Sequence, residues 1–338
     1  MKKHSFQVGL ILTLALALFL ISFTISAQEQ PHYKSPDNVI TTIDVPLNTY
    51  FSRLGNDPLM ELINEAQIWW AKDVLGQTTY GDLPVISGHS PGKAGSGGPE
   101  DFLSVSAGDL TYDDVLPKYK GQEHDGIYYW PNHPYIVKVR GAQILAWLER
   151  VASNFNRIDP NDTGDQFLVD YENFEPFNFE HVRGIDYEID VTKPEGQRVV
   201  EATYKGDPIW LDQEFLLVTH NFRAGDFLDK GELVYGAETR NQYQTRQIIT
   251  AYLEEVVAGE PDGNDEEEGE DEEEKTKKVN VSDLEDNWSL TPVSVEGKVL
   301  FRSAPEAKDY VEDSPFADKL QYLGEMGGWS VFEVDLSS

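Results

Sequence analysis

The sequence predicts a mixed α/β fold, a mixed sheet with flanking helices, in one domain over residues 45–338. Three observations carry that expectation. Amphipathic helical stripes recur at residues 57–76, 141–155 and 243–257. Short β-prone runs bounded by Gly, Pro, Asn or Asp lie between and after them. The chain has 338 residues, 40% hydrophobic and 12% aromatic, enough apolar mass for one large core or two modest ones.

The elements follow in order. Residues 1–27 carry Lys2 and Lys3, an apolar run starting at Val8, and small polar residues ending at Ala27. That is the pattern of a cleaved secretory signal, and it implies a secreted, extracellular or periplasmic protein. The run is long enough that an uncleaved N-terminal membrane anchor is the alternative. Residues 28–44 are polar, with Pro31 and Pro36, and read as a linker. The first helix has Asp57 as cap, Pro58 in its first turn, an apolar stripe through Leu59, Leu62, Ile63, Ala66, Trp69, Trp70 and Val74, and Gly76 at its end. A short strand at 83–87 leads into SGHSPGKAGSGGPED, residues 87–101, with five glycines.

Residues 135–140 alternate as a strand, with Ile136, Lys138 and Arg140 on one face and Tyr135, Val137 and Val139 on the other. Gly141 turns this strand into a helix with Ile144, Leu145, Leu148, Val151, Ala152 and Phe155 on its apolar side. Residues 167–220 read as several strands, of which 199–204 and 215–220 flank the turn Lys205-Gly206-Asp207-Pro208. The third helix ends before GEPDGNDEEEGEDEEEKTKK, residues 259–278. Counted from Asp262, the sixth position is Glu267, where a calcium loop needs glycine. The segment therefore reads as a disordered acidic insertion. Strands at 298–302 and 330–336 complete the domain.

Composition excludes several functions. A net charge of −33 argues against a nucleic-acid polymer as partner. A small anion can still bind where a few cations are focused in a cleft. With no cysteine there is no disulfide, no thiolate metal site and no lipidated cysteine. None of the histidines at 4, 32, 89, 124, 133, 181 and 220 has a partner at the spacing of a helical zinc site. The densest group, Glu123-His124-Asp125, lies among turn residues. No metal and no other cofactor is expected in this chain. The glycine stretch fails as a triphosphate loop: three residues separate Gly88 and Gly92 where four are needed, and Ala94 follows Lys93 where Ser or Thr would hold magnesium.

Several blocks now line up. They are LPVISGHSPGKAGSGGPEDF, SAGDLTYDDV, YYWPNHPYIVKVRGAQILAWLE, FNRIDP, YENFEPFNFEHVRGIDYEIDVT, GDPI, LVTHNFRA, DNWSLTPV, FRSAPEA and FEVDLSS. In this order they resemble the C-terminal domain of the 5′-nucleotidase family, nearest to its 2′,3′-cyclic-nucleotide 2′-phosphodiesterase/3′-nucleotidase branch, over about residues 45–338. In that family an N-terminal metallophosphoesterase domain with two metal ions does the chemistry. The C-terminal domain grips the nucleoside between two aromatic rings. The metal-binding motifs of the catalytic domain are absent before residue 80. Gly55-Asn56-Asp57 and Gly88-His89-Ser90-Pro91 only echo them, each lacking a histidine. The resemblance therefore implies no catalytic residue here, and divalent metals only on a separate metallophosphoesterase chain.

Carried over residue by residue, the resemblance places the base between Trp130, in Trp130-Pro131-Asn132, and Phe222, in Asn221-Phe222-Arg223-Ala224. Two flat rings suit a base because every base presents two π-faces. Asn132 would offer donor and acceptor to the base edge, with Asn221 beside the ring. Arg223 is either a phosphate cation or an ion-pair partner. Lys93, Gly95, Gly97 and Gly98 would line the site. The sequence also departs from the family. The glycine loop lacks its usual arginine, leaving Lys93 as the nearby cation. Only Gly225 remains of a Gly-Gly stretch after Phe222, followed by Asp226, and an insertion over residues 116–127 precedes Trp130. The implied function is nucleotide or nucleoside recognition for a secreted nucleotide hydrolase system. The alternatives are a non-catalytic extracellular nucleotide-binding protein and a decayed structural module.

Overall fold

Residues 39–43, read above as linker, form the first strand of the fold. The computed structural model describes residues 38–76, 78–115, 126–128, 130–236, 244–257, 278–279, 284 and 286–337, all within one compact unit, Ser35–Ser338. The expected signal (1–27), most of the insertion before Trp130, and nearly all of the acidic segment lie outside the described residues.

The chain runs β1 (Val39–Ile43), β2 (Leu47–Asn48), α1 (Pro58–Leu75), β3 (Val85–His89), β4 (Ser104–Val105), β5 (Gly108–Thr111) and α2 (Tyr112–Val115). It continues through β6 (Pro134–Arg140), α3 (Gly141–Ala152), β7 (Gln166–Phe167), β8 (His181–Arg183), β9 (Asp186–Ile189), β10 (Val199–Tyr204) and β11 (Asp207–Pro208). Then come β12 (Glu214–His220), α4 (Asn221–Leu228), β13 (Glu232–Gly236) and α5 (Thr245–Tyr252), which passes into a π-helical turn at Leu253–Val257. The last strands are β14 (Lys278–Val279), β15 (Trp288–Leu290), β16 (Val299–Ser303), β17 (Leu320–Met326) and β18 (Trp329–Val334).

The linker expectation fails at β1 because its run, Val-Ile-Thr-Thr-Ile, is β-branched throughout and has partners on both edges. It pairs antiparallel with β5 and parallel with β14. The second pairing takes Lys278, the last residue of the expected acidic excursion, into a strand. The helix expectations hold more closely. Asp57 Oδ1 accepts from the backbone N–H of Leu59 and Met60 at 3.0 and 3.2 Å, capping α1.

The five-stranded central sheet has the order β13-β6-β12-β3-β8. β12 runs parallel to β3 and antiparallel to β6. Both faces are covered. Val137, Val139, Phe215 and Leu217 join Ile144, Trp147 and Leu148 of α3 in one core. Ile136, Leu216 and Val218 join Leu59, Leu62 and Ile63 of α1 and Ile248 and Ile249 of α5 in another. The unbroken apolar run Phe215-Leu216-Leu217-Val218 is the signature of a strand buried on both sides. Lys138, on the neighbouring strand β6, is neutralised across the sheet by Glu232 at 2.8 Å and Glu214 at 3.5 Å.

Two four-stranded sheets, β11-β10-β9-β15 and β17-β18-β16-β7, the three-stranded β14-β1-β5 and the β2-β4 pair complete the α/β fold among the described residues. The Lys205–Gly206 turn, with φ of 54° and 83°, pairs β10 with the short β11, while β12 lies in the central sheet. Among the described residues no helix is long and apolar enough to cross a membrane.

Candidate functional site

The β6–β12 ladder ends with Pro134 opposite His220. One edge of the central sheet therefore receives the segment before β6, with Trp130, and the segment after β12, with Phe222. A two-bond clip joins them. Asn221 N donates to His133 O at 2.9 Å, and His133 N donates to Asn221 Oδ1 at 2.9 Å. Asn132 O accepts from Thr245 N at 2.9 Å, which ties the same segment to the start of α5. Trp130 is 41% exposed and Phe222 is 63% exposed. Phe222 lies nearly parallel to His220, with ring centroids 6.2 Å apart.

His220 caps α4, its Nδ1 accepting from Arg223 N at 3.4 Å, which fixes a neutral imidazole. Burial, helped by Arg223 and opposed by Asp226, holds its pKa at about 4. His89, at the end of β3, packs edge-on to His220 with centroids 5.6 Å apart and stacks on Tyr128 at 5.1 Å. Burial, then the neighbouring His220 and His181, push His89 well below the ordinary histidine range. Burial pushes the Tyr128 hydroxyl up. This aromatic floor is uncharged at neutral pH and offers shape rather than acid–base chemistry.

Arg223 is not a surface cation. It is 2% exposed and pairs with Glu180, which is fully buried. Its Nη1 lies 2.5 Å from Asp226 Oδ2, and its Nη2 donates to Asn178 Oδ1 at 3.0 Å and Phe177 O at 3.2 Å. Arg150 closes the network, 2.8 Å from Asp226 and 3.5 Å from Glu180, and Trp147 Nε1 donates to Glu180 at 3.1 Å. Of the two roles open to Arg223, the structure gives ion pairing, inside the fold rather than at its surface. Its side chain reaches inward because α4 starts directly at the end of β12 and presents Phe222 outward and Arg223 to the core. Burial raises the Asp226 carboxyl, but bonds from Arg150 and Arg223 outweigh this and hold it below the usual range.

The glycine loop is closed on itself. Ala94 and Phe102 bridge its ends. Gly95 N donates to Asp101 O at 2.7 Å, Gly98 N to Gly95 O at 3.3 Å, and Asp101 N to Gly98 O at 3.1 Å. The Asp101 carboxylate turns inward, accepting from Gly97 N at 2.7 Å and from the Ser96 hydroxyl at 3.3 Å. Lys93 Nζ lies 3.7 Å from its other oxygen. Gly95 has φ of 92°, and a Cβ there would meet Trp329 and Phe102 at 3.0 and 3.1 Å. A Cβ at Gly97 would fall 2.9 Å from Asp101 Cγ, and Gly98 has φ of 120°. Each glycine thus has an internal reason.

Sequence reasoning passed over Asp101 and Glu180. Asp101 was legible as an acid just beyond a glycine run, whereas Glu180 lies 43 positions from its arginine. Among the described residues no group of three or more His, Asp or Glu side chains is placed to hold a metal ion.

The sequence profile of the 5′-nucleotidase C-terminal domain matches residues 39–228, from β1 to the end of α4. The chain belongs to this family. The domain is 30% identical over 311 residues to the trifunctional nucleotide phosphoesterase protein YfkN of Bacillus subtilis, covering 86% of this chain and 19% of that protein. It is 30% identical over 336 residues to a 2′,3′-cyclic-nucleotide 2′-phosphodiesterase/3′-nucleotidase of Haemophilus influenzae, covering 91% and 45%. It spans less than half the length of either relative.

Among solved structures, a 5′-nucleotidase precursor from Thermus thermophilus superposes with a TM-score of 0.51 at 20% identity, over 75% of this chain and 39% of that one. A 5′-nucleotidase assigned in Staphylococcus aureus gives 0.50 at 18% identity, over 75% and 41%. These likenesses establish the fold of the domain.

Proposed function

We propose that this domain recognises a nucleoside or nucleotide, with the base between Trp130 and Phe222 and its edge read by Asn132, as the binding half of a nucleotide phosphoesterase system. The observation that carries this reading is the pair of exposed rings on segments clipped together by Asn221 and His133. Large rings held out to water lose the hydrophobic stabilisation that burial would give, and a ligand with two flat faces restores it. The neutral imidazole of His220, itself packed on His89 and through it on Tyr128, supports the Phe222 ring from below. Hydrolysis would draw on two divalent metals and an activated water held by a separate metallophosphoesterase unit. The N-terminal 27 residues, read as a secretory signal, would place this recognition outside the cytoplasm.

Calorimetry with adenosine, AMP and 3′-AMP tests the reading. Binding should be measurable, and Trp130→Ala and Phe222→Ala should each weaken it by about 1–3 kcal/mol. An absence of heat from all three ligands, or affinity unchanged by both substitutions, overturns it.

A further inference from the structure

Glu180 and Asp226 are answered by two arginines of the same chain. One pocket departs from that pattern. It has a volume of about 510 Å³ and is lined by five carboxylates, those of Asp57, Glu61, Asp286, Glu312 and Asp313. Asp57 and Glu61 stand at the start of α1, Asp286 just before β15, and Glu312 and Asp313 between β16 and β17. Asn56 holds the first two groups together, its Nδ2 donating to Trp288 O at 2.7 Å and its Oδ1 accepting from Asn287 N at 3.4 Å. Among the described residues, Glu61 alone of the five has an ion pair, to Arg183 through Oε2. Arg183 is shared with Glu65. Glu61 is 3% exposed, yet it lines the pocket, and its Oε1 is buried without a hydrogen-bond partner. A buried carboxylate oxygen left unanswered costs free energy that an incoming donor recovers. Burial raises the Asp57 and Glu61 carboxyls to about 7 and pushes Asp286 up as well, and a cation arriving beside them would lower all three.

The shape of the pocket narrows the ligand. It is far larger than a bare ion, and among the described residues no three acidic or histidine side chains stand where they could hold a metal. Its remaining walls include Val45, Pro58, Leu284 and Pro315, against which a methylene stem can lie while its charged head meets the acids. A second pocket of about 190 Å³ shares Asn56, Asp286 and Pro315 and adds Trp288 and Phe316. We propose that this pocket binds an organic polycation, ammonium groups carried on a flexible aliphatic chain, at a site that includes neither Trp130 nor Phe222. A free linear polyamine and neighbouring lysine side chains of a partner chain present the same chemistry.

Calorimetry of the whole chain with spermidine tests the proposal. A chain of net charge −33 attracts any polycation diffusely, so the titration is run at moderate salt, where that attraction is screened. Wild type should show one saturable site. Asp286→Asn, Glu312→Gln and Asp313→Asn together remove three exposed charges from the pocket without touching the α1 cap, and should weaken spermidine about tenfold. Neutralising Glu195, Asp212 and Asp229 instead, three exposed acids outside the pocket, should leave the affinity near wild type. An acetylated, amidated trilysine peptide separates the sources: tighter binding than spermidine at the same site points to a partner's side chains, weaker binding to a free polyamine, and both support the proposal. Equal losses in the two triple variants, or no saturable site for either probe, overturn it. So does displacement of spermidine by an equal concentration of magnesium, which would make the pocket a metal site.

Discussion

The segment 221–223 and the loop 93–98 both carry residue types associated with gripping a nucleotide, and the fold treats them in opposite ways. At the first, the backbone leaves β12 and enters α4, so that Phe222 faces water and Arg223 faces the core. At the second, the backbone curls until the Gly95 and Gly97 N–H groups, the Ser96 hydroxyl and the Lys93 ammonium are answered by Asp101. One region leaves apolar surface unsatisfied and the other leaves almost nothing polar unsatisfied. A motif names the groups available, whereas the partners supplied by distant parts of the chain decide whether those groups remain open to a ligand.

The sharpest way to break this comparison is to exchange the fates of neighbours. Arg223→Ala would leave Glu180 fully buried without its strongest counter-ion, and removing one member of a buried pair costs about 3–5 kcal/mol. Phe222→Ala, one position earlier, removes an exposed ring and should change stability by no more than about 0.5 kcal/mol. Urea unfolding of both variants checks this. Similar losses from the two would show that the outward ring and the inward cation are not divided as described.

The next effect concerns the floor beneath the ring. His220 is held at about 4, whereas an unfolded chain would titrate it near 6.5. Below 6.5 the unfolded state takes up the proton first, so the stability supplied by neutral His220 is lost as pH falls towards 4. His181, also buried and held at about 4, acts in the same direction. The buried carboxyls of Asp57 and Glu61, raised to about 7 mainly by burial, act in the opposite sense. They favour the folded state at low pH and lose that contribution as pH rises through 7. His220→Asn keeps a side chain suited to cap α4 and removes the titration. It should lose about 2 kcal/mol less stability than wild type between pH 7 and pH 5, read from unfolding curves at the two values. An identical pH dependence in both proteins would mean that His220 takes up its proton in the fold as readily as in the unfolded chain.

Much of the frame was legible because it follows local rules. The Asp57-Pro58 start of α1, the apolar side of α3 and the alternating β6 each declare themselves within a short window. β1 was missed because its β-branched run sits close behind a proline-bearing polar stretch, and its partners β5 and β14 are far along the chain. α4 was missed because eight residues containing Gly225 give little periodicity, and it grows straight out of a strand. At the site, the rings were legible only through resemblance to a family, since nothing local distinguishes an exposed Phe222 from a buried one. The burial of Arg223 was illegible for the same reason, its acid being supplied by the far side of the core.

The smallest expected effect separates a residue that touches ligand from one that holds the rims together. Asn221 was a candidate ligand contact, yet its Oδ1 receives the His133 N–H that joins the Trp130 segment to α4. Asn221→Ala should weaken adenosine binding by about 0.5–1.5 kcal/mol, the worth of one hydrogen bond, by letting the two rims drift. Asn221→Asp keeps the acceptor oxygen, loses the amide N–H groups and adds a negative charge. Calorimetry with adenosine, an uncharged probe that the new carboxylate does not repel, should find the aspartate variant near wild type and the alanine variant weaker. Equal losses in both would place the Asn221 amide on the ligand, and the clip would then be an incidental use of its oxygen. A loss confined to alanine would show that the clip between the two rims, of which this backbone-to-side-chain bond is half, is itself a determinant of affinity.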